Sequence, residues 1–118
     1  MRDHNKLRAF ELADRLAVAI YGVTTRFPRE EMFGLSAQLR RAAVSIASNI
    51  VEGSARTSQS EYIHFLNIAY ASAREVEYQV SLAARLGFLN DASRGELSAL
   101  CVQTSKVLSG LLRALHAL

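Results

Sequence analysis

The chain has 118 residues, 50% apolar and 21% charged, a balance that suits one domain over residues 1–118 with one core and excludes a disordered segment. Fourteen Lys and Arg against eleven Asp and Glu leave a net charge of +3, too small an excess to announce nucleic acid by itself. The lone Cys101 excludes an internal disulfide and any cysteine-rich metal site, and it points to a reducing, cytoplasmic setting.

Periodicity predicts four helices and no strand. The first runs from about Lys6 to Thr25, with Phe10, Ala13, Ala17, Ile20, Tyr21 and Thr24 on one face and Leu12, Leu16 and Val23 beside it. Its charges at Arg8, Glu11, Asp14 and Arg15 are incompatible with a secretory leader, and no stretch of the chain has the length and apolarity of a membrane span. Pro28 ends this segment, and Arg29–Gly34 reads as the connection.

The second helix runs from about Leu35 to Glu52. Leu35, Leu39, Ala42, Ala43, Ile46 and Ile50 form its apolar face, widened by Val44, Ala47 and Val51. Gly53 fits the helix-ending position, where a left-handed backbone suits glycine. The third helix opens on Ser58 and Glu61, an S-x-x-E capping box. Tyr62, Leu66, Ala69, Ala73, Val76, Val80 and Ala83 then repeat in steps of four and three, the seam of a near-parallel packed helix about 40 Å long that ends at Gly87. The fourth begins near Asp91 or Ser93 and carries Leu97, Leu100, Cys101, Val107, Leu108, Leu111, Leu112 and Leu115. Short connections favour an all-α, antiparallel up-down-up-down four-helix bundle.

A polar stripe accompanies the apolar face of the second helix: Gln38, Arg41, Ser45, Asn49 and Glu52. Folding the third helix back across Gly53–Thr57 places Glu52 near Glu61, Ser45 near Ile68, Arg41 near Ser72 and Gln38 near Glu75. This predicts an inter-helix network with Arg41 paired to Glu75 and Ser72 nearby, while Asn49 and Glu52, with Arg56, tie down the turn. Such a network fixes register more than it stabilises. The competing functional reading, a ligand site built from Arg40, Arg41, Asn49 and Glu52, ranks below it because ion-pair networks give the same pattern.

The stretch FPREEMFGLSAQLRRAAVSIASNIVEGSAR, with Ile20-Tyr21 before it and Phe65-Leu66, Ala69, Ser72, Glu75 and Glu77 after it, resembles the signature of the four-helix-bundle family of 23S rRNA intervening-sequence proteins. That family includes the accessory protein of diversity-generating retroelements. The Gln38–Gly53 block carries most of the specificity, and the likeness extends over nearly the whole chain. The chain departs from the pattern at Ala47, often proline in the family, and at Ala71, often glycine. The resemblance implies a homo-oligomer, a barrel-like pentamer of bundles, and in some members an accessory role beside nucleic acid or a reverse transcriptase.

Independently, the apolar arcs of the first, second and fourth helices exceed what a four-helix core covers, which favours self-association. The nucleic-acid reading rests on Arg2, Lys6, Arg8, Arg15, Arg26 and Arg29, which an oligomer would multiply. Against it stands a solvated face carrying pairs such as Glu11–Arg15, and a structural oligomer or protein-binding module without nucleic acid is the alternative. Enzymatic chemistry finds no support: His4, His64 and His116 lack metal spacing, Cys101 lies on an apolar face, and no phosphate-cradling glycine loop exists. No cofactor, metal, membrane or small-molecule substrate is expected.

Overall fold

A computed structural model describes residues 2–118. It is all-α, with helices α1 (Arg8–Thr24), α2 (Leu35–Ser54), α3 (Gln59–Arg85) and α4 (Asp91–His116), and no strand among the described residues. Short 3-10 turns at His4–Lys6 and Arg29–Glu31 precede α1 and α2.

The helix ends have local causes. The Asp3 carboxylate accepts from the Asn5 amide at 3.0 Å, holding His4–Lys6 in its own turn, so α1 starts at Arg8 instead of Lys6. The Glu31 carboxylate accepts from the Leu35 amide at 3.0 Å and takes up one of the orphan donors at the start of α2. Ser58 caps α3 by accepting from the Glu61 amide at 3.2 Å. The Glu61 carboxylate turns to the Ser58 hydroxyl at 3.3 Å, so only one half of the capping box is made. At the other end Gly87 takes a φ of 81°, and the bonds from Gly87 to Ala84 and from Phe88 to Ala83 close a Schellman turn. Asn90 caps α4 by accepting from the Ser93 amide at 2.8 Å.

Gly53 lies inside α2, which continues to Ser54. A Cβ there would stand 2.9 Å from the Phe65 Cβ and 3.3 Å from the Tyr62 ring. Close approach of α3, not a left-handed turn, is what requires glycine at this position.

Each helix touches two others. α1 packs on α2 and α4, α3 packs on the same two, and the diagonal pairs do not meet. Contacts run in opposite order in two of these pairs: Gly53 of α2 approaches Phe65 of α3 while Ser45 meets Ser72, and Gln59 at the start of α3 reaches Leu115 near the end of α4 while Glu77 meets Ser105. The resulting bundle measures 45 × 23 × 19 Å. Its core draws Leu16 and Ile20 from α1, Leu39, Ile46 and Ile50 from α2, Leu66, Val76 and Val80 from α3, and Cys101 and Leu108 from α4, all essentially without solvent contact.

The α2 and α3 faces are buried as their spacing predicts. On α1 the face is rotated: Ala9, Leu12, Ala13, Leu16 and Ile20 form its buried row, while Phe10 and Ala17 are half-buried and Tyr21 is exposed. Apolar residues occupy so much of this helix's circumference that its own periodicity cannot choose a centre; α2 and α4, packing from two sides, make the choice.

Candidate functional site

Two regions hold the residues singled out by the sequence, and the fold adds a third. The first is the α2–α3 seam. The Ser45 and Ser72 hydroxyls lie 3.0 Å apart, and Asn49 donates its amide to the Ser45 carbonyl at 2.8 Å and to the Ser45 hydroxyl at 3.0 Å. With Asn49 as donor, the Ser45 proton is free to go to Ser72. Ser45 therefore faces Ser72, one turn further along α3 than the expected Ile68. The direction of that offset follows from side-chain tilt. Side chains lean towards their own helix N-terminus, so where the contacts of α2 and α3 run in opposite order each one pushes the α3 partner away from the connecting turn.

The expected Arg41–Glu75 pair does not form. Both residues are exposed and border the same shallow cavity of about 280 Å³ with Gln38, Ser45 and Ser72, yet no carboxylate lies within 4.0 Å of Arg41 among the described residues. Glu75 accepts instead from Gln79, at 3.1 Å. Two long side chains in water gain at most about 1 kcal/mol by pairing and lose rotamer freedom in doing so. Asn49 turns inward to Ser45, and the turn is held by charge: Arg56 meets Glu52 at 2.9 Å and Glu61 at 3.7 Å, over the Phe65 ring. The ligand site of Arg40, Arg41, Asn49 and Glu52 is not assembled. Arg40 bonds Thr24 on α1, while Asn49 bonds Ser45 on its own helix.

The second region is the set of basic residues. Arg2 is engaged inward: its amide donates to the Ser54 carbonyl at 2.9 Å, and its guanidinium reaches the Arg56 carbonyl and Gln59 and stacks 4.0 Å from the Tyr62 ring centre. Arg8 pairs with Glu11 at 2.8 Å; the Glu11–Arg15 alternative is not made. Lys6, Arg15, Arg26 and Arg29 are exposed, with no carboxylate within 4.0 Å among the described residues. They do not form one patch. Lys6 precedes α1 and Arg26 and Arg29 follow it, and 17 helical residues separate the two ends by about 25 Å.

The third region was invisible in the sequence. A groove of about 590 Å³ runs between α1 and α4, bordered by Asp14, Arg15, Val18 and Val23 on one side and Glu96, Leu97 and Leu100 on the other. Val18, 69% exposed, stands in its wall. No short-range pattern could reveal it, since its two walls lie some eighty positions apart in the chain.

Burial, reinforced by Glu77, pushes the Cys101 thiol up to about 12, which keeps it protonated. Among the described residues no three His, Cys, Asp or Glu side chains are grouped to hold a metal ion, and no helix is long and apolar enough to cross a membrane.

Residues 5–110 match the family model for 23S rRNA-intervening sequence proteins. The chain belongs to that family. The match takes in α1, α2, α3 and most of α4, and the resemblance drawn from the Gln38–Gly53 block is thereby confirmed. Among solved structures, a protein of unknown function from the S23 ribosomal protein family of Bacteroides thetaiotaomicron VPI-5482 superimposes with a TM-score of 0.82 at 25% identity, over 89% of this chain and 95% of that one. No curated protein matches. Against the family pattern, α2 runs unbroken through Ala47, and Ala71 is exposed on α3, away from the packed seam.

Proposed function

We propose that this protein is a non-enzymatic, self-associating scaffold: an antiparallel up-down-up-down bundle that acts in the cytoplasm as an accessory factor to a nucleic acid or nucleoprotein partner. The observation that carries the reading is the surface. Phe33 is 91% exposed, and Val18, Tyr21, Met32, Val44, Val51, Ile68 and Leu86 are also uncovered on a single copy. Apolar area of this extent is what neighbouring copies cover. The pentamer implied by the family resemblance is the assembly proposed.

Lys6, Arg15, Arg26 and Arg29 support the nucleic-acid partner, as cations with no carboxylate within 4.0 Å among the described residues. Repeated around an oligomer they form a ring of phosphate contacts, each of which releases counterions on binding. The family's name, which refers to 23S rRNA, is in keeping with that partner. The α1–α4 groove favours a second reading, an apolar helix of a protein partner seated between Val18 and Leu100. A titration of labelled single-stranded RNA and DNA from 50 to 300 mM salt separates the two. Affinity falling steeply with salt is expected, and a flat response at the lowest salt would discard the nucleic-acid reading.

A further inference from the structure

Where α1 passes into α2, an open cavity of about 280 Å³ gathers two arginines, Arg29 and Arg40, and three hydroxyls, Thr24, Thr25 and Ser36, beside Phe27 and Pro28. We propose that this is a binding site for a phosphate-type oxyanion.

Arg40 is the organising residue. Its Nε donates to the Thr24 hydroxyl at 2.8 Å, and that hydroxyl donates onward to the Ile20 carbonyl at 2.7 Å. Its guanidinium lies 4.6 Å from the centre of the Tyr21 ring. These contacts fix the plane of the side chain, use one of its five N–H groups, and leave the fork of terminal nitrogens without a partner. No carboxylate approaches within 4.0 Å of it among the described residues. A fixed, planar, unpaired fork matches two oxygens of a tetrahedral anion, and the ordering entropy of the arginine is already spent.

Ser36 lines the same cavity, and its hydroxyl makes no hydrogen bond to the described residues, so it is free to donate to a ligand oxygen that enters. Thr25 donates to the Gly22 carbonyl at 2.8 Å and keeps its lone pairs, so it suits a protonated phosphate oxygen or a ligand hydroxyl. Arg29, exposed at the rim, adds the second positive charge. The site owes nothing to the amide of Leu35 at the start of α2, since Glu31 already occupies it. Glu30 and Glu31 follow Arg29 in the chain and oppose an anion there, but the lining of the cavity itself holds Arg29 and Arg40 and no carboxylate. The cavity is smaller than one for a whole drug-sized ligand, so it fits a phosphate group rather than a complete nucleotide.

Free phosphate and a nucleic-acid backbone present the same chemistry; the backbone as source rests on the reading above. The test is a nitrogen-15 NMR titration of the full chain with inorganic phosphate and, separately, with a short single-stranded oligonucleotide at low salt. Both probes are expected to move the Ser36 amide and the Arg40 Nε–H signals. Arg29→Glu, an exposed change that leaves helix content intact, should weaken each probe at least about tenfold. Arg40→Lys, which keeps the charge and loses the fork, should weaken each several-fold. Arg94→Glu, the same charge change on α4, should alter neither beyond about twofold. Phosphate binding lost in Arg29→Glu, with no oligonucleotide binding by the native chain, supports the site with free phosphate as its ligand. Oligonucleotide binding that leaves Ser36 and Arg40 unmoved and survives Arg29→Glu overturns the site and spares the nucleic-acid reading. If neither probe binds, the site is overturned and the nucleic-acid reading falls with its own titration.

Discussion

Gly53 and Phe65 set the spacing of α2 and α3: a methyl group on Gly53 would stand 2.9 Å from the Phe65 Cβ, closer than real Cβ atoms come. Both flanking rings, Phe65 and the buried Tyr62, stem from the first turns of α3, so neither can retreat without moving the helix. Gly53→Ala gains about 1 kcal/mol of helix propensity and loses up to about 3 kcal/mol to overpacking. The expected net is a destabilisation of about 1–2 kcal/mol, read as a lower urea midpoint with unchanged slope. A raised midpoint would show that the two helices can part at no cost.

The Ser45–Ser72–Asn49 group should behave as a unit. Ser45→Ala leaves Ser72 without its partner on a nearly closed seam, at a cost of about 1 kcal/mol. The Ser45→Ala, Ser72→Ala double variant should cost clearly less than the two single changes together, the sign of coupling in a double-mutant cycle. Arg41→Met, by contrast, should stay within about 0.5 kcal/mol of the native chain, because Arg41 is exposed and has no ion pair to lose.

Arg2 and Arg26 separate stability from binding. Arg2 lies over Tyr62 and bonds the α2–α3 turn, whereas Arg26 faces solvent. Arg2→Ala should lower stability by about 1 kcal/mol through the lost cation–π contact and hydrogen bonds. Arg26→Ala should leave the unfolding midpoint unchanged and reduce the salt slope of oligonucleotide binding by about one. The reverse pattern would mean that the amino-terminal segment leaves the bundle when nucleic acid binds.

Cys101 gives a pH signature. Burial lifts its thiol from 9.0 to about 12, so the folded thiol stays neutral while the unfolded one ionises above about pH 9. The unfolded state then binds fewer protons than the native state, and stability falls as pH rises through that window. Below it the contribution is fully present. Cys101→Ala should show a shallower loss between pH 9 and 11 than the native chain, measured by urea unfolding, and the native thiol should resist alkylation at pH 8 until the chain unfolds.

Local chemistry was legible in the sequence where it was self-contained. The row from Tyr62 to Ala83 is buried because steps of four and three leave a helix only one stripe to bury, and Ser58 caps because its amide partner lies three residues away. What could not be read depends on distant elements. The Ser45–Ser72 register hangs on side-chain tilt across two helices, a property of direction that spacing does not encode. Arg40 and Arg41 are neighbours in sequence, but α1 claims the first through Thr24 and the second is exposed. Gly53 looked like a stop signal because a glycine near a helix end usually is one; only the position of Phe65 reveals its other use.

Sedimentation velocity of the native 13.0 kDa chain at low salt, alone and with a short single-stranded oligonucleotide, addresses the proposed function most directly. The expected result is one discrete species of several copies, five by the family resemblance, that takes up the oligonucleotide and releases it as salt is raised. A monodisperse single copy that sediments identically with and without oligonucleotide would contradict it.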